Sequence, residues 1–350
     1  MAMRLGVGCA LAACLVLGGL APSSRAGEPA AVPVIFDTDI CGDCDDVLAL
    51  AMLHNLEARG RCKLLAVTVS ADHEQAAPFV DAVNTFFGRG EVPIGAVTPP
   101  GAVAHQSAFL PLADQKDGDA LRYPHDLLKR ADAPPAVEVL RRTLAGQPDG
   151  SVVVIQVGFS TNLARLLDSK PDAISPLSGV DLVKEKVRLL SLMAGSFEPI
   201  DGNAAYEEYN VAQDVTSAQH VAQHWPTPML WSGFEIGIAL PYPSRSILTD
   251  YDYVAHHPVS EAYIARNPPP HNRPTWDLTS VLVGVLPDKD YFDLSPPGRV
   301  AVGPRGTTTF TPEPDGPHRY LVLREGDAGR VTEALVWLSS EPPKPAGPRR

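Results

Sequence analysis

Short unbroken apolar runs alternate with longer stretches of helical spacing along most of this chain. Val34-Ile35-Phe36 ends abruptly at Asp37 and reads as a buried parallel strand. Val47, Leu48, Leu50, Ala51 and Leu53 then mark the apolar face of a helix that Gly60 stops. Leu64 to Val69 reads as a second strand and Pro78 to Phe87 as a second helix. Residues 97–135 are polar, proline-containing and without a period, the mark of a long excursion near a site. Strands are predicted again at Ser151 to Val157, Val187 to Met193 and Pro228 to Trp231. Helices are predicted at Thr161 to Leu167, Asp214 to Trp225 and Asp277 to Leu286, and residues 241–275 are irregular. The order predicts an α/β fold, a mainly parallel sheet with helices on both faces. Ligands bind such sheets at the carboxyl ends of strands, where Asp37, Val157, Ala194 and Gly233 fall.

The pattern changes near the end. Arg299 to Val302, Thr307 to Phe310 and Tyr320 to Leu323 alternate or are β-branched between turn residues. They predict a small antiparallel C-terminal appendage, followed by a helix at Val331 to Leu338. At the other end, Arg4 precedes an apolar stretch from Leu5 to Leu20, and Ser24-Arg25-Ala26 offers a cleavage site. The run is short for a membrane span. The expected organisation is a signal peptide over 1–26, one α/β domain over 27–295, a β-rich extension of it over 296–340, and a disordered tail over 341–350. Export to a periplasmic or extracellular space follows; Leu11-Ala12-Ala13-Cys14 leaves a lipid-modified Cys14 as the competing reading.

Composition narrows the partners. The chain has 350 residues, 45% hydrophobic and 20% charged, with net charge -12. After cleavage at Ala26, 27 basic residues face 41 acidic ones. No basic face for nucleic acid is present, and an acidic chain gains nothing from anionic lipid. A neutral small molecule or a cation is the easier partner. Cys41 and Cys44 have C-x-x-C spacing, but no second ligand pair follows at zinc-finger distance. They read as buried thiols, with a disulfide open to them in an oxidising compartment.

The chemistry concentrates in Asp37-Thr38-Asp39-Ile40-Cys41-Gly42-Asp43-Cys44-Asp45-Asp46. Five carboxylates this close raise one another's pKa unless a cation sits among them. Oxygen-only ligands favour a hard ion, Ca²⁺ or Mg²⁺, and Asp45 and Asp46 open a helix whose N-terminus favours them.

Asp37-Thr38-Asp39 followed by Asp45-Asp46-Val47-Leu48-Ala49-Leu50 resembles the signature of the inosine–uridine-preferring nucleoside hydrolases. Two extra residues separate the aspartate groups, as in the branch with the longer aspartate loop. Val157-Gly158-Phe159-Ser160, Gly202-Asn203, Glu208-Tyr209-Asn210 and Trp276-Asp277 extend the resemblance over most of the chain. It implies a nucleoside hydrolase-like, Rossmann-like fold. It implies calcium held by Asp39, Asp46, the Val157 carbonyl and Asp277, with Asp39 also the base for the attacking water. Asp45, Asn203, Glu208 and Asn210 would bind the ribose, and Asp37 would be structural. A dimer or tetramer is also implied. The activity is calcium-dependent hydrolysis of an N-riboside to base and ribose.

One position departs from the pattern. Many members have a histidine before the last aspartate to protonate the leaving base; here Trp276 stands there, and an indole is no general acid. His105, His125, His256, His257 and His271 lie in the irregular segments as replacements, and Tyr123, Tyr253 and Trp276 are candidates to stack on a base. Two rival readings are a haloacid-dehalogenase-type phosphatase, from Asp37-Thr38-Asp39, and a non-catalytic calcium-dependent sugar-binding protein.

Overall fold

The computed structural model describes residues 30–343. The expected signal peptide and most of the expected tail lie outside the described residues. The main strands are β1 (Val32–Thr38), β2 (Cys62–Val69), β3 (Ile94–Ala96), β4 (Val152–Gln156), β5 (Val187–Met193), β6 (Met229–Ser232), β7 (Gly298–Val302), β8 (Thr308–Pro312) and β9 (His318–Val322). They form one sheet in the order β8-β7-β9-β6-β5-β4-β1-β2-β3. From β3 to β9 every neighbouring pair is parallel. Only the β7–β8 and β7–β9 pairings are antiparallel, with Asp293–Leu294 adding a short antiparallel pairing on β9. The C-terminal strands therefore extend the main sheet, because β9 pairs in parallel with β6.

The helices are α1 (Asp45–Ala58), α2 (Ala76–Phe86), α3 (Ala136–Ala145), α4 (Thr161–Asp168), α5 (Gly179–Lys186), α6 (Tyr209–Gln213), α7 (Val215–His224), α8 (Phe234–Ile238), α9 (Ser244–Thr249), α10 (Pro258–Arg266), α11 (Asp277–Val285) and α12 (Ala328–Ser340). Period-2 alternation sends Val34 and Phe36 of β1 and Val153 and Ile155 of β4 into a core beneath α1, α2, α10, α11 and α12. Ile35, Val152 and Val154 point the other way, toward α3, α4, α5 and α7. Both faces are covered, as the unbroken apolar runs require.

Two elements differ from expectation. The segment 241–275, predicted irregular, carries α9 and α10; its prolines break it into helices too short to show a period. Helix α1 has no solvent face: Asp45 through Leu56 are all buried. Its polar members are satisfied internally, His54 Nε2 bonding Asn84 Oδ1 at 2.8 Å and Asn55 Nδ2 donating to the Leu338 carbonyl at 3.0 Å. The expected amphipathic helix is thus a central one, with α12 packed over it.

Among the described residues, no helix is long and apolar enough to cross a membrane. Cys41, Cys44 and Cys62 are free and buried.

Candidate active site

β1 delivers the aspartate loop to the carboxyl edge of the sheet, beside the end of β4. There a cavity of about 300 Å³ opens, lined by Asp39, Asp43, Asp45, Asp46, Glu208 and Asp277 on its polar side and by Met193, Tyr209, Phe234 and Trp276 on its apolar side. That volume lies at the lower end of the small-ligand range.

Helices α1 and α11 start at this cavity and face it with their N-termini. Asp45 joins them: its Oδ2 accepts from the Trp276 and Asp277 amides at 2.9 and 3.2 Å. Thr38 Oγ1 donates to Asp46 Oδ1 and itself accepts from the Ile40 amide, so the strand end orients the helix's second aspartate. One oxygen each of Asp45, Asp46 and Asp277 lies within 4.8 Å of the others, and all three residues are buried. Burial and the neighbouring Asp45 and Asp39 charges push Asp46 and Asp277 well above the usual carboxylate range. Buried, mutually repelling carboxylates offering only oxygen fit a hard divalent cation, which would remove the repulsion.

The expected residues sort into three placements. Asp46 and Asp277 converge as expected, but the third carboxylate of the cluster is Asp45, expected on the ribose. Asp39 lines the same cavity and stands outside that trio. Burial, then Asp45, Glu208 and Asp43, push its carboxyl up to about 8. Gly158 makes its position attainable: a Cβ there would lie 2.3 Å from the Asp39 backbone nitrogen. Asp37 is buried below the cavity, where Oδ1 accepts from Thr68 and Asn162, the structural place expected of it.

Val157, Glu208 and Asn210 also reach the cavity, each already in use. Asn210 Nδ2 donates to the Val157 carbonyl at 2.9 Å and the Met193 carbonyl at 3.3 Å, tying β4 to β5. Its Oδ1 is the atom left for a ligand. Glu208 caps α6, accepting from the Asn210 and Val211 amides, and also from Gly195; burial pushes it up to about 7. Asn203 is the expected ribose ligand that the fold does not bring in. It is exposed on a turn, its Oδ1 accepting from the Ala205 amide at 2.9 Å.

Several contacts around the cavity carried no sequence signal. Asp43 pairs with Arg273, whose Nε lies 2.9 and 3.0 Å from the two carboxylate oxygens. Arg266 Nε donates to the Gly42 carbonyl at 2.6 Å. Phe234 lies 5.2 Å from the Trp276 ring at 31°, and its carbonyl accepts from the indole N–H at 3.0 Å. Pairings this distant in sequence leave no trace in spacing. Of the five candidate histidines, His105 alone lines the cavity. His125 bonds the Tyr123 carbonyl, His256 pairs with Glu261, His257 with Tyr253 and His271 with Asn267. Tyr123 and Tyr253 do not line it either; of the three aromatic candidates only Trp276 does.

A parallel α/β sheet with an acidic cavity at its carboxyl edge, able to hold a cation and lined in part by aromatic rings, defines a small-molecule site of the α/β class. The family model described as inosine-uridine preferring nucleoside hydrolase matches residues 34–282, and the chain belongs to that family, whose members are N-glycosyl hydrolases. Among solved structures it is similar to a plant nucleoside hydrolase, PpNRh1, with TM-score 0.65 and 18% identity over 89% of this chain and 99% of that one. It is similar in the same measure to the inosine-uridine preferring nucleoside hydrolase of Bacillus anthracis, TM-score 0.65 and 18% identity over 88% and 99%. A purine-preferring ribonucleoside hydrolase from Gardnerella vaginalis gives TM-score 0.65 and 18% identity over 88% and 99%. At such identities the likeness speaks for the fold. No curated protein sequence matches the chain. Family membership removes the phosphatase reading.

Proposed function

We propose that this chain is an exported, calcium-dependent N-ribohydrolase of the branch with the longer aspartate loop, releasing a base and ribose from a nucleoside or related N-riboside. One observation carries the reading: Asp45, Asp46 and Asp277 meet within 4.8 Å in the same cavity that Asp39 and the Trp276 wall line. Asp45, Asp46 and Asp277 would hold the cation, with Asp39 and the Val157 carbonyl at its edge. When bound, the ion supplies Lewis-acid polarisation and charge for orienting hydroxyls. Calcium is favoured over magnesium because several carboxylates and a carbonyl are at hand to hold it, whereas magnesium is ordinarily held by one or two carboxylates and keeps its waters.

The chain's own groups do the rest. Asp39 takes the proton of the attacking water; burial and the neighbouring carboxylates raise its carboxyl, and a cation held beside it would offset that rise and keep it deprotonated to act as the base. The remaining carboxylates stabilise positive charge developing on the sugar ring. Asn210 Oδ1 and Glu208 hold ribose hydroxyls against fixed acceptors, and Phe234 and Trp276 present a flat apolar wall to the base. The test is a panel of purine and pyrimidine nucleosides incubated with protein and Ca²⁺, with free ribose assayed. Ribose release that a chelator abolishes is expected. Tight nucleoside binding to calcium-loaded protein with no release would favour the sugar-binding reading instead.

A further inference from the structure

We propose that His105 and Tyr209 together form the proton donor for the departing base, filling the role that Trp276 cannot; this rests on the hydrolase reading above. Both residues line the cavity, and His105 Nε2 and Tyr209 Oη are hydrogen-bonded to each other. The other ring nitrogen fixes the direction of that bond. His105 Nδ1 lies 2.9 Å from the Gln106 carbonyl, which can only accept, so Nδ1 carries a hydrogen. In the neutral ring Nε2 is then the acceptor, and the phenol donates to it. Protonating the ring reverses the bond. Nε2–H now donates to the phenol oxygen, and the Tyr209 O–H is released to point elsewhere in the cavity.

The pair is held rather than adrift. His105 packs directly over Gly42: a Cβ on residue 42 would lie 2.5 Å from His105 Cε1. Phe159 lies stacked on the imidazole at 6.4 Å and 21°, while Tyr209 meets it edge-on at 5.7 Å. Tyr209 is 45% exposed and His105 half-buried, so the ring can reload a proton from solvent between turnovers. His105 comes from the long excursion after β3, and Tyr209 opens α6 between Glu208 and Asn210.

The step balances. The C1′–N bond breaks and its electron pair moves onto the leaving nitrogen. The Tyr209 phenol proton goes to that nitrogen as the imidazolium Nε2 proton goes to the phenol oxygen. The water oxygen bonds C1′ and its proton goes to Asp39. His105 ends neutral and Asp39 protonated, and exchange with solvent restores both.

The experiment compares leaving groups in calcium-saturated wild type, Tyr209→Phe and His105→Gln. The bases of inosine and uridine, hypoxanthine and uracil, depart with difficulty unless protonated, whereas the p-nitrophenyl riboside releases a phenolate that needs no proton. Both variants should lose about 10²-fold or more in kcat on the nucleosides, and the loss on the p-nitrophenyl riboside should be at least about tenfold smaller. Equal losses on both kinds of substrate would make the pair a positioning element and overturn the proposal, as would no loss on either. A wild type that cleaves neither substrate overturns the hydrolase reading and the donor with it. Tyr209→Phe removes a single oxygen from a half-exposed ring, so it carries the test if His105→Gln does not fold.

Discussion

Asp39 and Asp277 are both buried aspartates of one cavity, yet they are asked for different things. Asp277→Asn weakens the converging trio and leaves the base intact. Its activity should fall and return in part at high Ca²⁺. Asp39→Asn removes the proton acceptor, so a loss of about 10²–10⁴-fold should persist at any calcium concentration. Kinetics across a calcium titration check this, and equal recovery of both variants would make Asp39 only a ligand. Gly158→Ala tests the close approach behind Asp39. Its Cβ would meet the Asp39 nitrogen at 2.3 Å and its Cβ at 2.7 Å. Backbone must shift, which should cost roughly 1–3 kcal/mol in a denaturant melt and displace the base. Asp39, Asp45 and Asp46 were legible in the sequence because carboxylates at that density have few other uses, and Asp277 only through the resemblance of Trp276-Asp277 to the family pattern. Arg273 was not, and His105 was only one of five candidate histidines, because each is one ordinary residue in an aperiodic segment until the fold brings it to the cavity.

At the scale of elements, the cavity is a meeting of chain segments that owe their positions to one another. The aspartate loop is tied at two points, to the last residue of α10 by Arg266 on the Gly42 carbonyl and to the segment after it by Arg273 on Asp43. From the sequence, Asp43 lies in an insertion and a modest effect of Asp43→Asn is the natural expectation. The ion pair changes that: the substitution leaves Arg273, three-quarters buried by its side-chain exposure of 24%, without its charge partner beside Trp276. A double-mutant cycle between Asp43→Asn and Arg273→Gln should return a coupling of roughly 0.5–3 kcal/mol in stability. Additive effects would show the two segments to be independently anchored. Helix α10 explains why the pairing was invisible. It is a nine-residue helix flanked by prolines, so neither its existence nor its direction shows as a period.

For the whole molecule, the cavity makes stability depend on pH and cation together. Burial raises Asp37 from 3.8 to about 7 and Glu208 from 4.5 to about 7, and it raises the aspartate trio as well. A raised native pKa means that the native state keeps protons which the unfolded chain has already released. That stability is full below about pH 4 and is lost as pH rises through about 7. In chelator, the melting temperature should therefore fall between about pH 5 and pH 8. With Ca²⁺ the fall should shrink, since the ion binds the deprotonated trio of the native state alone. Differential scanning fluorimetry across that range, with and without chelator, checks both slopes; a flat apo profile would mean that the carboxylates are not held as described. Export is the other molecular-scale prediction. Mass spectrometry of secreted protein should find an N-terminus at Gly27, and a lipid on Cys14 would overturn it.

The sequence by itself determined the layered architecture and the location of the chemistry. Apolar runs of strand length separated by helical periods admit little but a covered parallel sheet, and Asp37 to Asp46 directly behind a buried strand must lie at its carboxyl edge. Spacing within one segment is local information, and these features are local. Tertiary structure alone decided which carboxylates converge, bringing Asp45 into the trio with Asp46 and Asp277 because the α11 amides bind its side chain. It also turned Asn203 away on an exposed turn, chose His105 from five histidines, and set Arg273 against Asp43 across 230 residues. These outcomes depend on where helix ends and loops pack on the finished sheet, a sum of long-range contacts that no stretch of sequence contains.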